Sequence, residues 1–136
     1  MTAPPDPPAA APPAAAAAGD QKFPKHLRVR RTAEYQRVYA AKNRAGDGVL
    51  LVFGAKNDLE FDGRPVTRVG LSVSKKNGNA VARHRIKRLL REAFRTQKQD
   101  LPTGWDFVLI PRPGSGADFA RYKKSLRKLA RRVANR

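Results

Sequence analysis

Hydrophobic residues recur along this chain with the period of helices in some segments and as short compact runs in others. Tyr35, Val38 and Tyr39 stand at i, i+3 and i+4, the spacing of one helix face. Thr32 is a suitable N-cap, and Glu34 lies in the first turn, where the helix dipole favours a negative charge. The pattern predicts a short amphipathic helix that begins at Thr32.

Two longer helices are predicted further along the chain. Asn79 can cap one that runs to about Lys98, and its apolar face repeats at i, i+3, i+4 and i+7 through Ile86, Leu89, Leu90 and Ala93. Ser115 or Asp118 can cap the last helix. Its apolar face consists of Phe119, Tyr122, Leu126, Leu129, Ala130 and Val133.

Apolar runs without helical spacing predict the strands. Residues 49–55 (VLLVFGA) and 68–74 (RVGLSVS) flank the segment KNDLEFDGRP, whose Asp, Gly and Pro content suits a turn between antiparallel strands. Leu59 and Phe61 add strand residues there, and WDFVLIP is a buried strand that ends at Pro111. The predicted fold is an α/β sandwich of two layers, in the order α-β-β-β-α-β-α.

The first 21 residues differ in composition from the rest of the chain. They are rich in Pro and Ala and contain six of its 11 prolines, a composition typical of disordered spacers. We expect a disordered tail over residues 1–21 and one domain over residues 22–136. The chain has no cysteine, and its N-terminus lacks the pattern of a secretory signal, so we expect a cytoplasmic protein.

The net charge of the chain indicates the kind of partner that it binds. The 29 Lys and Arg against 11 Asp and Glu give a formal net charge of +18, far above what solubility needs. No apolar run approaches the roughly 20 residues that span a bilayer, and the basic segments lack an aromatic interfacial face. The composition therefore favours a nucleic acid over a membrane.

The basic charge concentrates on the helix that follows Asn79. At about 100° per residue, its apolar residues centre near 290° when Arg83 is set to 0°, and most of its Lys and Arg lie opposite. Lys87, Arg91 and Arg95 follow one another at i,i+4, a spacing at which like charges repel. We interpret this row as a surface whose repulsion an external polyanion offsets.

The turn before that helix has the features of an anion site. In SKKNGNA, Lys75 and Lys76 end a strand, and Gly78 can adopt a positive φ. Asn79 and Ala80 then present backbone amides at a helix N-terminus, where the dipole favours anions. Together with the cationic helix, the turn predicts phosphate binding.

Catalytic side chains are not evident. The acidic residues are scattered, with Asp58, Glu60 and Asp62 in a predicted turn, whereas nuclease chemistry would need carboxylates grouped around Mg²⁺. Neither His26 nor His84 has an acidic neighbour in sequence that would suggest acid–base catalysis. A lone histidine is more often structural or simply exposed than functional.

The segment RVGLSVSKKNGNAVARHRIKRLLREAFR closely resembles the signature of the bacterial ribonuclease P protein component, GxxVSKKxGNAVxRNRxKRxxRE. Nearly every fixed position matches between Gly70 and Glu92, and the likeness extends more loosely over residues 27–133. One departure is His84, which replaces the central Asn of the family pattern. Any contact that needs a side-chain amide there is changed.

The resemblance implies a subunit that binds a catalytic RNA and helps it remove the 5′ leader of precursor tRNA, with Mg²⁺ held mainly by the RNA and the substrate. It also implies a left-handed β-α-β crossover, although such connections are otherwise right-handed in about 98% of cases. It assigns binding of the RNA subunit to Lys75, Lys76, Asn79, Arg83, His84, Arg85, Lys87, Arg88 and Arg91.

The family resemblance further aligns Tyr35, Tyr39 and Phe53 with aromatic residues that grip the single-stranded leader. Unstacked bases gain about 1–3 kcal/mol each on such faces. The i,i+4 spacing of the two tyrosines predicts a core role equally well.

Two other functions are compatible with a small, basic, cysteine-free chain. A structural RNA-binding protein of ribosomal type would have the same composition, and the SKKNGNAVARHRIKRLLRE block favours the ribonuclease P subunit over it. A DNA-binding regulator would need side chains that read base edges, whereas the basic helix offers almost only Lys and Arg.

Overall fold

The structure is a computed structural model that describes residues 25–136. Its helices are α1 (Thr32–Ala40), α2 (Ala80–Arg95) and α3 (Phe119–Ala134). Its strands are β1 (Arg44–Gly46), β2 (Leu50–Lys56), β3 (Glu60–Phe61), β4 (Arg64–Pro65), β5 (Arg68–Leu71) and β6 (Trp105–Pro111). Short 3₁₀ turns occupy Lys25–Leu27, Lys75–Asn77 and Lys98–Asp100. The predicted tail lies outside the described residues.

Four strands form one mixed sheet in the order β1-β2-β6-β5. The β1–β2 and β2–β6 pairs are antiparallel, whereas β5 and β6 are parallel. Helix α2 connects the parallel pair, so the predicted β-α-β unit is present. The left-handed sense of that crossover stays a prediction.

One strand pairing was predicted wrongly. Strands β2 and β5 are not neighbours, because β6 inserts between them. The segment around Leu59 and Phe61 forms a separate hairpin of β3 and β4, with Asp62 and Gly63 at φ 55° and 74° in its turn. Two successive positive φ values suit a two-residue hairpin turn. Strand β1 was missed, since its three residues have no alternating apolar pattern.

Helices cover both faces of the sheet. On one face, Val52 and Phe107 pack in a core that includes residues of α2 and α3. On the other face, Phe53 and Val108 pack with residues of α1. Strands buried on both faces need nearly continuous apolar runs, which β2 and β6 have. The α/β class is confirmed, and α1 adds a partial third layer to the predicted two.

Side-chain caps fix the starts of the long helices. The Asn79 side chain accepts a hydrogen bond from the Ala82 amide at 2.9 Å, and Asp118, the second of the two predicted candidates, accepts one from the Arg121 amide at 2.9 Å. Helix α2 ends at Arg95, before the predicted end near Lys98, where a separate 3₁₀ turn begins. The N-caps are therefore confirmed to the residue.

Helix α1 differs at its start. Arg31, not Thr32, occupies the N-cap position. Glu34 accepts hydrogen bonds from the amides of Arg30 and Arg31 at 2.9 and 3.1 Å. Burial opposes ionisation of Glu34, but these amides and Arg68 outweigh it and lower its pKa. Glu34 therefore caps the start of α1, although it lies within the first turn of the helix.

Two contacts hold α1 on the sheet. The Tyr35 hydroxyl donates to the Leu71 carbonyl at 3.1 Å and accepts from the Leu71 amide at 3.0 Å. A Cβ on Gly70 would lie 2.8 Å from the Tyr35 ring, so only glycine allows this approach. Burial raises the pKa of the Tyr35 hydroxyl to about 12. Tyr35 thus links α1 to the edge strand β5.

The second contact is an ion cluster around Asp106, which is 0% exposed. Arg68 donates to this carboxylate at 2.9 and 2.6 Å, Asn57 donates at 2.7 Å, and Arg37 pairs with it as well. Arg68 also contacts Glu34 at 3.0 Å. We call these five residues the Asp106 cluster; it joins α1, β5, β6 and the loop after β2.

Candidate nucleic-acid interface

The turn before α2 has the predicted anion-binding geometry. Gly78 adopts φ 116°, and a Cβ there would lie 3.1 Å from the Cβ of Ala82. The first N–H groups of a helix have no partner within the helix, and only that of Ala82 receives the Asn79 cap. Lys75 and Lys76 are exposed on the adjoining 3₁₀ turn. The site therefore combines free amides, a positive helix end and two lysines.

Helix α2 presents part of the predicted cationic face to solvent. His84, Arg85 and Arg88 are exposed. Within residues 25–136 no acidic side chain lies within ion-pair distance of Arg85 or Arg88. We call Lys75, Lys76, His84, Arg85 and Arg88 the open face of α2.

The buried side of α2 is rotated from its predicted position. The helix packs through Leu90, Ala93 and Phe94, and Phe94 is 1% exposed. Phe94 lies at about 20° on the helical projection, beside Arg83, and its burial turns that side of the helix inward. The apolar set used in the prediction did not include Phe94.

Two predicted RNA contacts therefore lie elsewhere than expected. Lys87 is half-buried, and Arg91 is only 9% exposed. Arg83 is half-buried too, as expected for a residue at the border of the apolar face. The placement of Arg91 on the exposed face is wrong, because the rotation toward Phe94 brings it into the interior. Asn79 is exposed, but its side-chain oxygen is engaged by the helix cap.

The row of like charges also has partners inside the chain. Arg95 makes a bidentate contact with Glu92 at 2.7 and 2.8 Å, which raises the pKa of Arg95. Lys87 and Arg91 likewise have interactions within the chain. The contact with Glu92 offsets part of the repulsion at Arg95, and compensation of the row by an external polyanion stays a prediction. On α2 and the turn before it, the exposed basic residues without an acidic partner in the described part of the chain are those of the open face.

The aromatic residues expected to bind the leader lie between α1 and the sheet. Tyr35, Tyr39 and Phe53 are 2%, 8% and 1% exposed. Tyr39 meets the Phe53 ring edge-on, with 4.9 Å between centroids and an interplanar angle of 82°. This burial favours the core role that the helical spacing also predicted, and base stacking on these rings stays a prediction.

A half-buried apolar strip lies beside those rings. Leu51 and Ile110 are register partners on β2 and β6, two residues from Phe53 and Val108 and hence on the same sheet face. Because α1 is short, it leaves both partly exposed. This strip was not predicted from the sequence, although the alternation with Phe53 places Leu51 on that face.

Two arginines border this strip. The Arg44 guanidinium lies 5.9 Å from the Phe53 ring centroid. An Arg112 nitrogen would lie 2.9 Å from a Cβ at Gly46, the register partner of Leu51. An apolar floor with cations at its edge suits a single strand, whose bases are apolar and whose backbone is anionic.

The carboxylates do not fit a Mg²⁺ site. Asp106 and Glu34 are bound by arginines, Glu92 pairs with Arg95, and Asp47 accepts from Ser125 at 2.6 Å and from Lys128 at 3.1 Å. In the described part of the chain, no three His, Asp or Glu side chains group as metal ligands. A hard cation would have to displace these partners.

No helix among the described residues is both long and apolar enough to cross a membrane.

Comparisons with known proteins show the family of this chain. The family model Ribonuclease P matches residues 23–134. The Ribonuclease P protein component of Petrotoga mobilis is 33% identical over 83% of this chain and 96% of its own length. That of Clostridium acetobutylicum is 36% identical over 77% of this chain and 87% of its own length.

A solved structure shows the same fold. The RNase P protein from Thermotoga maritima superposes with a TM-score of 0.68 at 29% identity, covering 77% of this chain and 96% of that one. The family match includes every residue of the open face and of the strip beside α1. The chain belongs to the bacterial ribonuclease P protein family.

Proposed function

We propose that this chain, the protein subunit of the ribonuclease P holoenzyme, binds the RNA subunit of that enzyme through the open face of α2. The observation that supports this most directly is the pairing of charges. The arginines of the Asp106 cluster have acidic partners, whereas Arg85 and Arg88 have none within residues 25–136. Phosphates would supply the missing negative charge.

The geometry of the adjoining turn supports the same partner. Phosphate binds readily at helix N-termini because free amides and the helix dipole act together. Lys75 and Lys76 add point charges beside those amides, and Arg85 adds a fork that can bind phosphate oxygens in pairs. Such contacts position a nucleic acid without reading its sequence.

The 5′ leader of precursor tRNA is the second proposed ligand, and it binds on the opposite side of the sheet. The floor of the proposed leader site is the strip of Leu51 and Ile110. Tyr39 lies at the inner wall of this site, and Arg44 and Arg112 lie at its edges. Contact with base faces and backbone would tolerate many leader sequences. This places the substrate and the RNA subunit on different faces of one small protein.

Catalysis belongs to the RNA subunit in this proposal. Glu34, Asp47, Glu92 and Asp106 contact basic side chains of the same chain. No three His, Asp or Glu side chains of the described residues group as metal ligands, which supports a Mg²⁺ held mainly by the RNA and the substrate. The protein contributes binding and orientation of the leader. Rigorously RNA-free protein should therefore not cleave precursor tRNA, and specific Mg²⁺-dependent cleavage by it would refute this division. We propose that the protein acts in the cytoplasm.

Assembly with ribonuclease P RNA tests the open face. Arg85→Ala should weaken assembly roughly 5- to 10-fold near 0.1 M salt and reduce the slope of log K against log salt by about 0.7–0.9, the loss of one phosphate contact. Arg64→Ala is the matched control, since Arg64 is exposed on β4, away from α2. Equal effects of the two changes would contradict the assignment.

Binding of precursor tRNA and mature tRNA to the holoenzyme tests the leader site. Ile110→Ala should weaken precursor binding several-fold and leave mature tRNA unchanged, because mature tRNA has no leader. Val66→Ala, at a half-buried position outside the strip, is the control. Tyr39→Ala should instead lower the melting temperature and affect both RNAs. A loss for Ile110→Ala that is equal for both RNAs would remove the strip from the leader site.

A further inference from the structure

The outer face of α3 has a row of basic residues that the open face of α2 does not include. The row consists of Arg121, Lys124, Arg127, Lys128, Arg131 and Arg132. All six are exposed, and helix α3 contains no acidic residue. On a helical projection they occupy an arc of about 140° opposite the buried residues. We call this set the α3 row.

Few of these charges are neutralised within the protein. Lys128 pairs with Asp47 at 3.1 Å, and Arg121 and Arg131 donate to backbone carbonyls at 3.3 and 3.4 Å. Lys124, Arg127 and Arg132 have no hydrogen bond or ion pair in the part of the chain that the structure describes. A solvated helix normally mixes charge signs, because like charges at i,i+4 destabilise it.

The α3 row lies on the same side of the sheet as the open face of α2. Residues of α2 and α3 share the larger core with the sheet, and the Gln97 side chain, just after α2, donates to the Lys123 carbonyl of α3 at 2.8 Å. The helices are therefore neighbours, and their outer faces both point away from the sheet. The leader strip lies on the other side of the sheet.

We propose that the α3 row is a second contact with the RNA subunit, which binds its phosphate backbone beside the segment held by α2. The six residues span 11 steps of a helix, about 16 Å along its axis, enough for several successive phosphates. The row has no exposed aromatic ring on which a base could stack, so it suits backbone contact. This inference rests on the proposed binding of the same RNA by α2.

The test compares assembly with ribonuclease P RNA for three variants of the full chain. The triple change K124Q, R127Q and R132Q removes the unpaired charges of the row and keeps good helix formers. The triple change K25Q, R30Q and R64Q removes the same charge from exposed positions outside α2 and α3. Arg85→Ala reports on the α2 contact in the same assay.

We expect the α3 triple variant to reduce the salt slope by about two to three units and to weaken assembly about 100-fold near 0.1 M salt. The control triple variant should change the slope by less than one unit. The melting temperature of the α3 variant should stay the same or rise, because like-charge repulsion is relieved. Precursor affinity of the assembled holoenzyme should be unchanged.

Three results would overturn the inference. Equal salt slopes for the α3 and control variants would show that α3 is merely a solvated helix. The salt slope of Arg85→Ala would then still show whether α2 contacts the RNA. A loss confined to precursor affinity would assign the row to the substrate. A fall in melting temperature with an unchanged salt slope would show that the residues support the fold instead.

Discussion

The basic residues of the α1 side and those of α2 are used in opposite ways. Arg37 and Arg68 meet a fully buried carboxylate, Asp106, in a cluster whose hydrogen bonds stay inside the protein. Arg85 and Arg88 lie exposed on α2 with no acidic partner among the described residues. The first group fixes the position of a helix, and the second is available to a polyanion.

A net charge of +18 is therefore not a uniform property of the surface. Burying an ion costs solvation, and close partners must offset that loss, as the partners of Asp106 do. Hydrogen bonds to Asp106 raise the pKa of Arg68, so this arginine stays charged. Exposed arginines stay hydrated and need no such partner, and dissolved salt screens their charge. Changes in the two groups should therefore have different consequences.

The largest effect is expected from Asp106→Asn. This change removes the buried counter-charge of Arg68 and leaves it only the partly exposed Glu34, and breaking a buried pair commonly costs about 3–5 kcal/mol. Urea unfolding at pH 7 should show the loss. Asp58→Asn, at an exposed site, is the control and should stay within about 0.5 kcal/mol of the unchanged protein. A similar small value for Asp106→Asn would show that the cluster does not hold α1.

The next largest effect is expected from a comparison of Arg37→Gln with Arg88→Gln. Arg37→Gln should cost about 1 to 2 kcal/mol of stability, because a charged hydrogen bond to Asp106 is lost from a side chain that is 45% exposed. Arg88→Gln should change stability by less than about 0.5 kcal/mol. In assembly with ribonuclease P RNA the order should reverse, with the salt slope reduced only by Arg88→Gln. The same slope change in both variants would erase the distinction.

Asp47 joins the loop after β1 to α3 and should show a smaller, pH-dependent effect. Burial opposes its ionisation, but hydrogen bonds from Ser125 and from the amides of Leu50 and Val49 outweigh this and hold its pKa well below the usual range. A carboxyl with a lowered folded pKa stabilises the protein above its unfolded pKa, and this contribution disappears as the pH falls toward the folded value.

Asp47→Asn should therefore cost about 1 kcal/mol near neutral pH, comparable to a typical hydrogen bond. The difference from the unchanged protein should begin to shrink as the pH falls below about 4, where the unfolded carboxyl gains its proton. Unfolding curves at several pH values measure this. A difference that is constant down to low pH would mean that the charge of Asp47 contributes nothing.

The smallest effect is expected from His84→Asn, which introduces the residue of the family pattern. His84 is exposed on the open face, so stability should change by less than about 0.5 kcal/mol. Asn keeps hydrogen-bonding capacity, and assembly with the RNA should be nearly unchanged. Assembly affinity at fixed Mg²⁺ and salt is the measurement. A large loss would show that the imidazole ring itself contacts RNA.

Much of the local structure was predictable because its causes are local. Asn79 and Asp118 cap their helices through their own side chains, and Gly78 takes a positive φ because it lacks a Cβ. The strand WDFVLIP has a continuous apolar run, which only burial on both faces explains. Each of these features depends on neighbours within a few positions.

The errors concern relations between distant segments. The position of Arg91 depends on how Phe94 turns α2 toward the core, and the neighbour of β2 depends on where β6 inserts. Packing between elements decides both, and no local pattern contains it. The burial of Tyr39 and Phe53 depends on the same packing, whereas base stacking on these rings stays a prediction.

Residue type and spacing within single segments were enough to predict the helices, the strong excess of positive charge, the backbone geometry of the turn before α2 and the family. Which cations of the chain are available to a partner depends instead on how the elements pack together. Arg68 and Arg85 have the same guanidinium group, yet one lies against the buried Asp106 and the other faces solvent. The physical reason is that solvation and partner distance, not residue identity, set whether a charge is already compensated.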